Sequence, residues 1–245
     1  MADKIVWVNG FVCPTLPAVF LFFLATAVHA QRMTESKVTI RYLPTDFAIR
    51  ELDNPSWKKG DVTSVSTYWS GKDAQAGRRF EVRTLWSDTS LYLRFEASQS
   101  EPLVISQERD VSKKTMRLWD RDVVEIFLAP DRTQPRKYLE FEVAPTGEWI
   151  DLAIDYTGLE RKTNWDFRSG MTSSARIEKD KVFMTLRIPW TAFGVAPKPG
   201  DVWLGNLFRC VGKDPTRGYL AWRPTMTEQP NFHVPEKFGE FVFAK

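Results

Sequence analysis

Cysteine and histidine are scarce in this chain of 245 residues, with two of each, and several chemistries are excluded with them. Cys13 falls within an N-terminal leader, so Cys210 stands alone in the remainder and no disulfide framework can form there. Beside Phe208 and Val211, Cys210 reads as a small buried hydrophobe rather than a nucleophile. His233 is the one histidine beyond residue 30, and no Gly-x-Ser-x-Gly occurs, so serine-hydrolase and zinc-hydrolase chemistry find no support. Charge of one sign is lacking too. The 34 basic and 31 acidic residues leave a net charge of +3, interspersed along the chain, which gives no footprint for nucleic acid or an anionic membrane. Past residue 30 no apolar run approaches the roughly 20 residues of a membrane-spanning helix.

The leader itself is an apolar stretch, Ala18 to Ala27, followed by Val28-His29-Ala30. It reads as a signal peptide over residues 1–30, cleaved after Ala30, which makes residues 31–245 a single exported domain, secreted or periplasmic.

Sustained 3.6-residue periodicity is also missing; period two takes its place. Phe80, Val82, Thr84 and Trp86 alternate with Glu81 and Arg83, then Leu91, Leu93 and Phe95 alternate with Tyr92, Arg94 and Glu96 across the turn residues 87–90, which predicts a hairpin. Further strands are expected near residues 38–43, 62–69, 102–106, 122–129, 137–144, 148–155, 173–178, 181–188, 202–211, 218–222 and 239–243. Many short strands with no helix to cover a sheet face must cover one another. The fold expected is all-β, a two-sheet antiparallel β-sandwich of the immunoglobulin or jelly-roll kind. Residues 107–118 and 156–172 are polar connections long enough to be functional loops.

Alternation divides the central strands into faces. Val124, Ile126, Leu128, Leu139, Phe141, Val143, Ile150, Leu152 and Ile154 are expected to form the inter-sheet core, leaving Glu125, Tyr138, Glu140, Glu142, Trp149 and Asp151 on the opposite face. Carboxylates among aromatic rings suit a polyhydroxylated ligand: the CH faces of a sugar bury against an indole or phenyl ring, and its hydroxyls seek carboxylates and guanidiniums. Trp119, in the polar stretch Trp119-Asp120-Arg121-Asp122, is the first candidate for an exposed platform. A second aromatic stretch runs Asn231-Phe232-His233.

These two stretches resemble the family-nine carbohydrate-binding modules, extracellular β-sandwich domains of DOMON-like type. The likeness continues through residues 138–152, Ile188-Pro189-Trp190, Gly200-Asp201-Val202-Trp203, Asn206-Leu207-Phe208-Arg209 and Trp222-Arg223-Pro224. The resemblance implies a non-catalytic module whose partner is a glycan or oligosaccharide, in some cases within a larger saccharide-handling system. It places Trp119 and Phe232 at the two aromatic positions that sandwich a sugar, Glu125 at a hydroxyl-binding glutamate and Asp122 at its neighbouring acid. It also exposes departures. Phe232 stands where sugar-binding members carry tryptophan, and Glu142 and Ala144 stand where they carry a basic residue and an asparagine. The candidate ligand-binding set is therefore Trp119, Glu125, Glu142, Arg209, Phe232 and His233, with Arg209 read as the donor that restores lost basicity and favours acidic sugars. No cofactor is specified. Structural calcium, which the resemblance implies near the N-terminus, would have Asp46, Glu51 and Asp53 as oxygen ligands. The competing reading is a glycoside hydrolase working through a pair of these carboxylates.

Overall fold

A computed structural model describes residues 36–245; the signal segment read in residues 1–30 lies outside the described residues. In chain order the strands are β1 (Lys37–Tyr42), β2 (Val62–Val65), β3 (Phe80–Trp86), β4 (Ser90–Ser98), β5 (Val123–Ala129), β6 (Lys137–Val143) and β7 (Trp149–Asp155). They continue with β8 (Lys162–Asn164), β9 (Thr172–Ile177), β10 (Lys181–Pro189), β11 (Val202–Val211), β12 (Gly218–Ala221) and β13 (Gly239–Ala244). Among the described residues the helical elements are short 3-10 turns, and no helix is long and apolar enough to cross a membrane.

The protein is a nearly all-β sandwich, with two layers made by a single curled sheet. Hydrogen bonding runs β8-β7-β6-β5-β11-β13-β1-β3-β4-β10-β9, with β12 on β11 and β2 on β3. The expected pairing is antiparallel throughout, whereas β1 is parallel to both neighbours. It follows β13 from Lys37 to Arg41, then meets β3 at Arg41 and Tyr42 only, so it bends across the corner between the layers. The expected hairpin is β3 paired with β4. Residues 102–106 form no strand; Val104 instead exchanges hydrogen bonds with Asp122, its carbonyl accepting from the Asp122 amide at 2.8 Å.

The inter-sheet core collects Val82, Leu93, Phe95, Met184 and Leu186 from one layer and Val124, Ile126, Phe141, Leu207 and Phe243 from the other. Backbones approach closely within the second layer. A Cβ on Gly205 of β11 would fall 2.3 Å from the Phe127 carbonyl oxygen, so that position accepts no side chain.

One face assignment is overturned. The register sets Tyr138 opposite Ile154, Glu140 opposite Leu152 and Glu142 opposite Ile150, so the apolar residues of β7 share the glutamate face. There they join Val123, Phe127, Phe208, Cys210 and Phe232 in a second core. Trp149 and Asp151 consequently lie on the inner side, where Trp149 packs against the inter-sheet core and Lys114 Nζ reaches Asp151 Oδ1 at 2.6 Å. The physical reason is that both faces of β5–β7 are dry: the chain carrying Phe232 and the turn carrying Leu118 cover the outer one, so apolar alternation carries no information about which face is inside.

Candidate functional site

Register brings the outer-face residues of four strands together. Glu125 of β5 lies opposite Glu142 of β6 on one side and Phe208 of β11 on the other, while Cys210 of β11 lies opposite Tyr219 of β12. Glu125, Glu140, Glu142 and Cys210 thereby line a cavity of about 300 Å³, together with Trp119, Trp165, Tyr219, Phe232 and His233. Five of the six candidate residues from sequence, Trp119, Glu125, Glu142, Phe232 and His233, surround this one space.

The electrostatics of the cavity are unusual. Each of the three glutamates offers a carboxylate oxygen within 4.8 Å of the other two, and all three residues are buried. Burial raises every one of them, and mutual repulsion adds to the effect for Glu125 and Glu142, which stand well above the carboxylate range; Glu140 is pushed up to about 7. Apart from the carboxyl–carboxyl contact between Glu140 and Glu142, Glu140 Oε2 and both oxygens of Glu142 have no hydrogen-bond partner among the described residues. Glu125 Oε1 accepts a long contact from Cys210 Sγ at 3.5 Å, and burial pushes that thiol up, so it stays protonated as a donor.

His233 closes one side. Its Nδ1 lies 2.7 Å from Tyr138 Oη, and its Nε2 lies 4.0 Å from Glu140 Oε2. Burial lowers the imidazole to about 3 and raises the Tyr138 phenol, so both are neutral near pH 7. With the phenol donating to Nδ1, the remaining N–H sits on Nε2, toward Glu140.

The wall is built by a 3-10 turn, Leu118–Asp120, entered through Arg117 at φ 57° in the left-handed region. Leu118 is buried beneath it and Arg217 fastens it from outside, its guanidinium donating to the carbonyls of Trp119 (2.6 Å), Asp120 (2.6 Å) and Arg121 (2.8 Å). Trp119 is left half-buried, tilted 42° against Trp165 with ring centroids 6.1 Å apart. Trp165, 43% exposed, is a wall residue contributed by the long 156–172 connection. Phe232 differs from the expected open platform. It is 8% exposed and stacks on Phe208 at 4.1 Å, so one ring face is already covered.

Arg209 is not part of this space. It lies opposite Val124, on the inner side of the sheet, and its guanidinium donates to the carbonyls of Arg78 and Ser98, each at 2.7 Å, and to Gln99 Oε1 at 2.5 Å. The donor expected to restore basicity to the site instead braces the opposite face. Asp122 belongs to the same inner cluster, accepting from the Gly212 amide at 2.7 Å and from Gln99 Nε2 at 3.3 Å. Nor do the proposed calcium ligands converge: Asp46 accepts from Thr89 Oγ1, Glu51 from Asn54 Nδ2, and Asp53 pairs with Arg176. A second cavity, about 460 Å³, opens beside Lys137, Leu139 and Phe193, but carries no carboxylate cluster.

A β-sandwich with an aromatic-walled, carboxylate-floored pocket on the outer face of one layer defines the class of module. The chain belongs to the carbohydrate family 9 binding domain-like family, whose model matches residues 51–245. A protein of Arthroderma benhamiae named an extracellular protein is 24% identical over 177 residues, covering 66% of this chain and 78% of that one. Among solved structures, a candidate carbohydrate-binding protein from Bacteroides uniformis superposes with a TM-score of 0.67 at 17% identity, covering 85% of this chain and 99% of that chain. A family 9 carbohydrate-binding module from Caldicellulosiruptor kristjanssonii does so with a TM-score of 0.61 at 14% identity in its glucose complex, covering 85% and 96%. Its cellotriose complex gives 0.59 at 15%, covering 85% and 93%.

Proposed function

We propose that this protein is a non-catalytic, exported saccharide-binding module that holds a glycan or its terminus in the pocket between Trp119, Trp165 and the glutamate floor. The observation that carries the reading is the convergence of half-exposed indoles and buried carboxylates in a space of about 300 Å³, the size and chemistry of a single sugar ring. One sugar face lies on Trp119, and vicinal hydroxyls donate to Glu142, whose oxygens otherwise meet no donor beyond the Glu140 carboxyl, and to Glu125, which otherwise accepts a long contact from Cys210. His233 Nε2–H supplies a donor from the side. Family membership and the sugar-bound relatives of the same fold support saccharides as the ligand class, and the extracellular relative supports export. With Arg209 on the other face, the pocket is acidic, so neutral sugars bind in preference to uronates.

The test is calorimetric titration of monosaccharides, reducing-end oligosaccharides and uronates into the protein and into Trp119→Ala. A saccharide bound by the first and lost in the second supports the site. A saccharide bound equally by both refutes it.

One observation favours a second reading. Glu140, raised to about 7, has the acidity of a general acid, as a glycoside hydrolase requires. Hydrolysis in the same screen, abolished by Glu140→Gln, would replace binding with catalysis.

A further inference from the structure

Three carboxyl groups carried out of water onto one patch of sheet can ionise together only beside a compensating positive charge. The protein supplies none at contact distance. Among the described residues, the ion pair to any of the three is His233 with Glu140, at the long distance of 4.0 Å. Arg217, the neighbouring guanidinium, whose charge opposes the rise of Glu125, has both terminal nitrogens engaged with the carbonyls of Trp119, Asp120 and Arg121, and Arg161 is exposed at the rim. Glu142, fully buried, faces the cavity, and apart from the carboxyl–carboxyl contact between Glu140 and Glu142 neither of its oxygens nor Glu140 Oε2 meets a donor.

We infer that Glu125, Glu140 and Glu142 form a binding site for a hard divalent cation of calcium size at the floor of the pocket, with its open positions directed toward Trp119 and Trp165. Spacing and donor type both select the ion. Three oxygens mutually within 4.8 Å are close enough to converge on one cation, and calcium at about 2.3–2.6 Å asks less contraction of them than magnesium at about 2.1 Å. An all-carboxylate set prefers a hard cation over zinc or copper. Three ligands leave several coordination positions free, and these face the aromatic walls, where paired hydroxyls of a saccharide can fill them. That last role rests on the saccharide reading above; the cation site does not.

The experiment titrates calcium alone into the chelator-stripped full chain, follows terbium luminescence sensitised by Trp119 and Trp165, and repeats saccharide titrations with calcium and with chelator. The expected result is one calcium per chain, a thermal midpoint that rises with calcium, and affinity reduced more than about tenfold in Glu142→Gln. The surface control Glu228→Gln should bind as the parent does. Calcium binding lost in Glu142→Gln with no saccharide bound in any condition keeps the cation site and removes the saccharide reading. Saccharide binding indifferent to chelator, with no calcium or terbium bound, does the reverse and overturns the inference. So does calcium binding that Glu142→Gln leaves intact. Glucosamine binding that requires Glu142, without calcium binding, also overturns it, since the carboxylates would then serve an ammonium group.

Discussion

Two clusters of buried charge lie back to back on β5 and β11. On the inner side, Arg209 meets the carbonyls of Arg78 and Ser98 and the amide of Gln99, and Gln99 passes on to Asp122, which is capped by the Gly212 amide. Burial lowers Arg209 to about 10, still charged at neutral pH, and both its terminal nitrogens have acceptors. On the outer side, Glu125, Glu140 and Glu142 are equally buried, but among the described residues Glu142 meets no donor beyond the Glu140 carboxyl. The same two strands therefore carry one polar cluster completed by the protein and another left for something else to complete. Buried polar groups are normally satisfied within the fold, and the exceptions point to function.

That contrast can be broken by substitution. Arg209→Met should cost about 3–5 kcal/mol of stability by leaving the buried carbonyls of Arg78 and Ser98 and the Gln99 amide oxygen without their donor and removing the positive charge near Asp122, measured by urea unfolding; a loss below experimental error would show that the inner cluster is not structural. Trp119→Ala should leave the urea midpoint nearly unchanged yet weaken saccharide binding by about tenfold or more, since one stacking ring is worth roughly 1–3 kcal/mol. Phe232→Trp, which a purely aromatic comparison would favour, should destabilise by about 1–3 kcal/mol, because the ring is already stacked against Phe208 and a larger one overpacks.

Glu142→Gln should behave oppositely to Arg209→Met and stabilise the ligand-free protein at pH 7, by on the order of 1 kcal/mol. Its sign follows from linkage. The outer glutamates keep protons in the folded state that the unfolded chain releases above its ordinary 4.5, so their contribution is fully present below that pH. It declines as pH rises through about 7 for Glu140, and likewise well above the ordinary range for the other two. Asp53, held below its ordinary value by Arg176, contributes in the reverse sense and loses its stabilisation as pH falls. Thermal midpoints from pH 4.5 to 8 should fall less steeply in Glu142→Gln than in the parent; identical slopes would mean the glutamates are not perturbed.

The sequence carried most of the strands and much of the site because period two survives wherever one residue in two is apolar. It set Glu125 and Glu142 on a common face correctly, since both are the polar members of their strands. It misplaced Ile150, Leu152 and Ile154 because alternation reports period rather than direction, and the outer face here is covered by the segment bearing Phe232. Arg209 was legible in part: Phe208 and Cys210 flank it, so it must face away from them, but only the β5–β11 register shows that they face Glu125. Trp165 was hidden for another reason. Its position depends on a loop folding back against Trp119, a long-range contact with no local signal.

The most direct measurement is a crystal structure of the protein with the saccharide identified by titration. The predicted result is a sugar ring in van der Waals contact, about 4 Å, with Trp119 or Trp165, its hydroxyls directed at the oxygens of Glu125 and Glu142. A sugar seated in the larger cavity beside Lys137 and Phe193, with the glutamate pocket unchanged, would contradict the account.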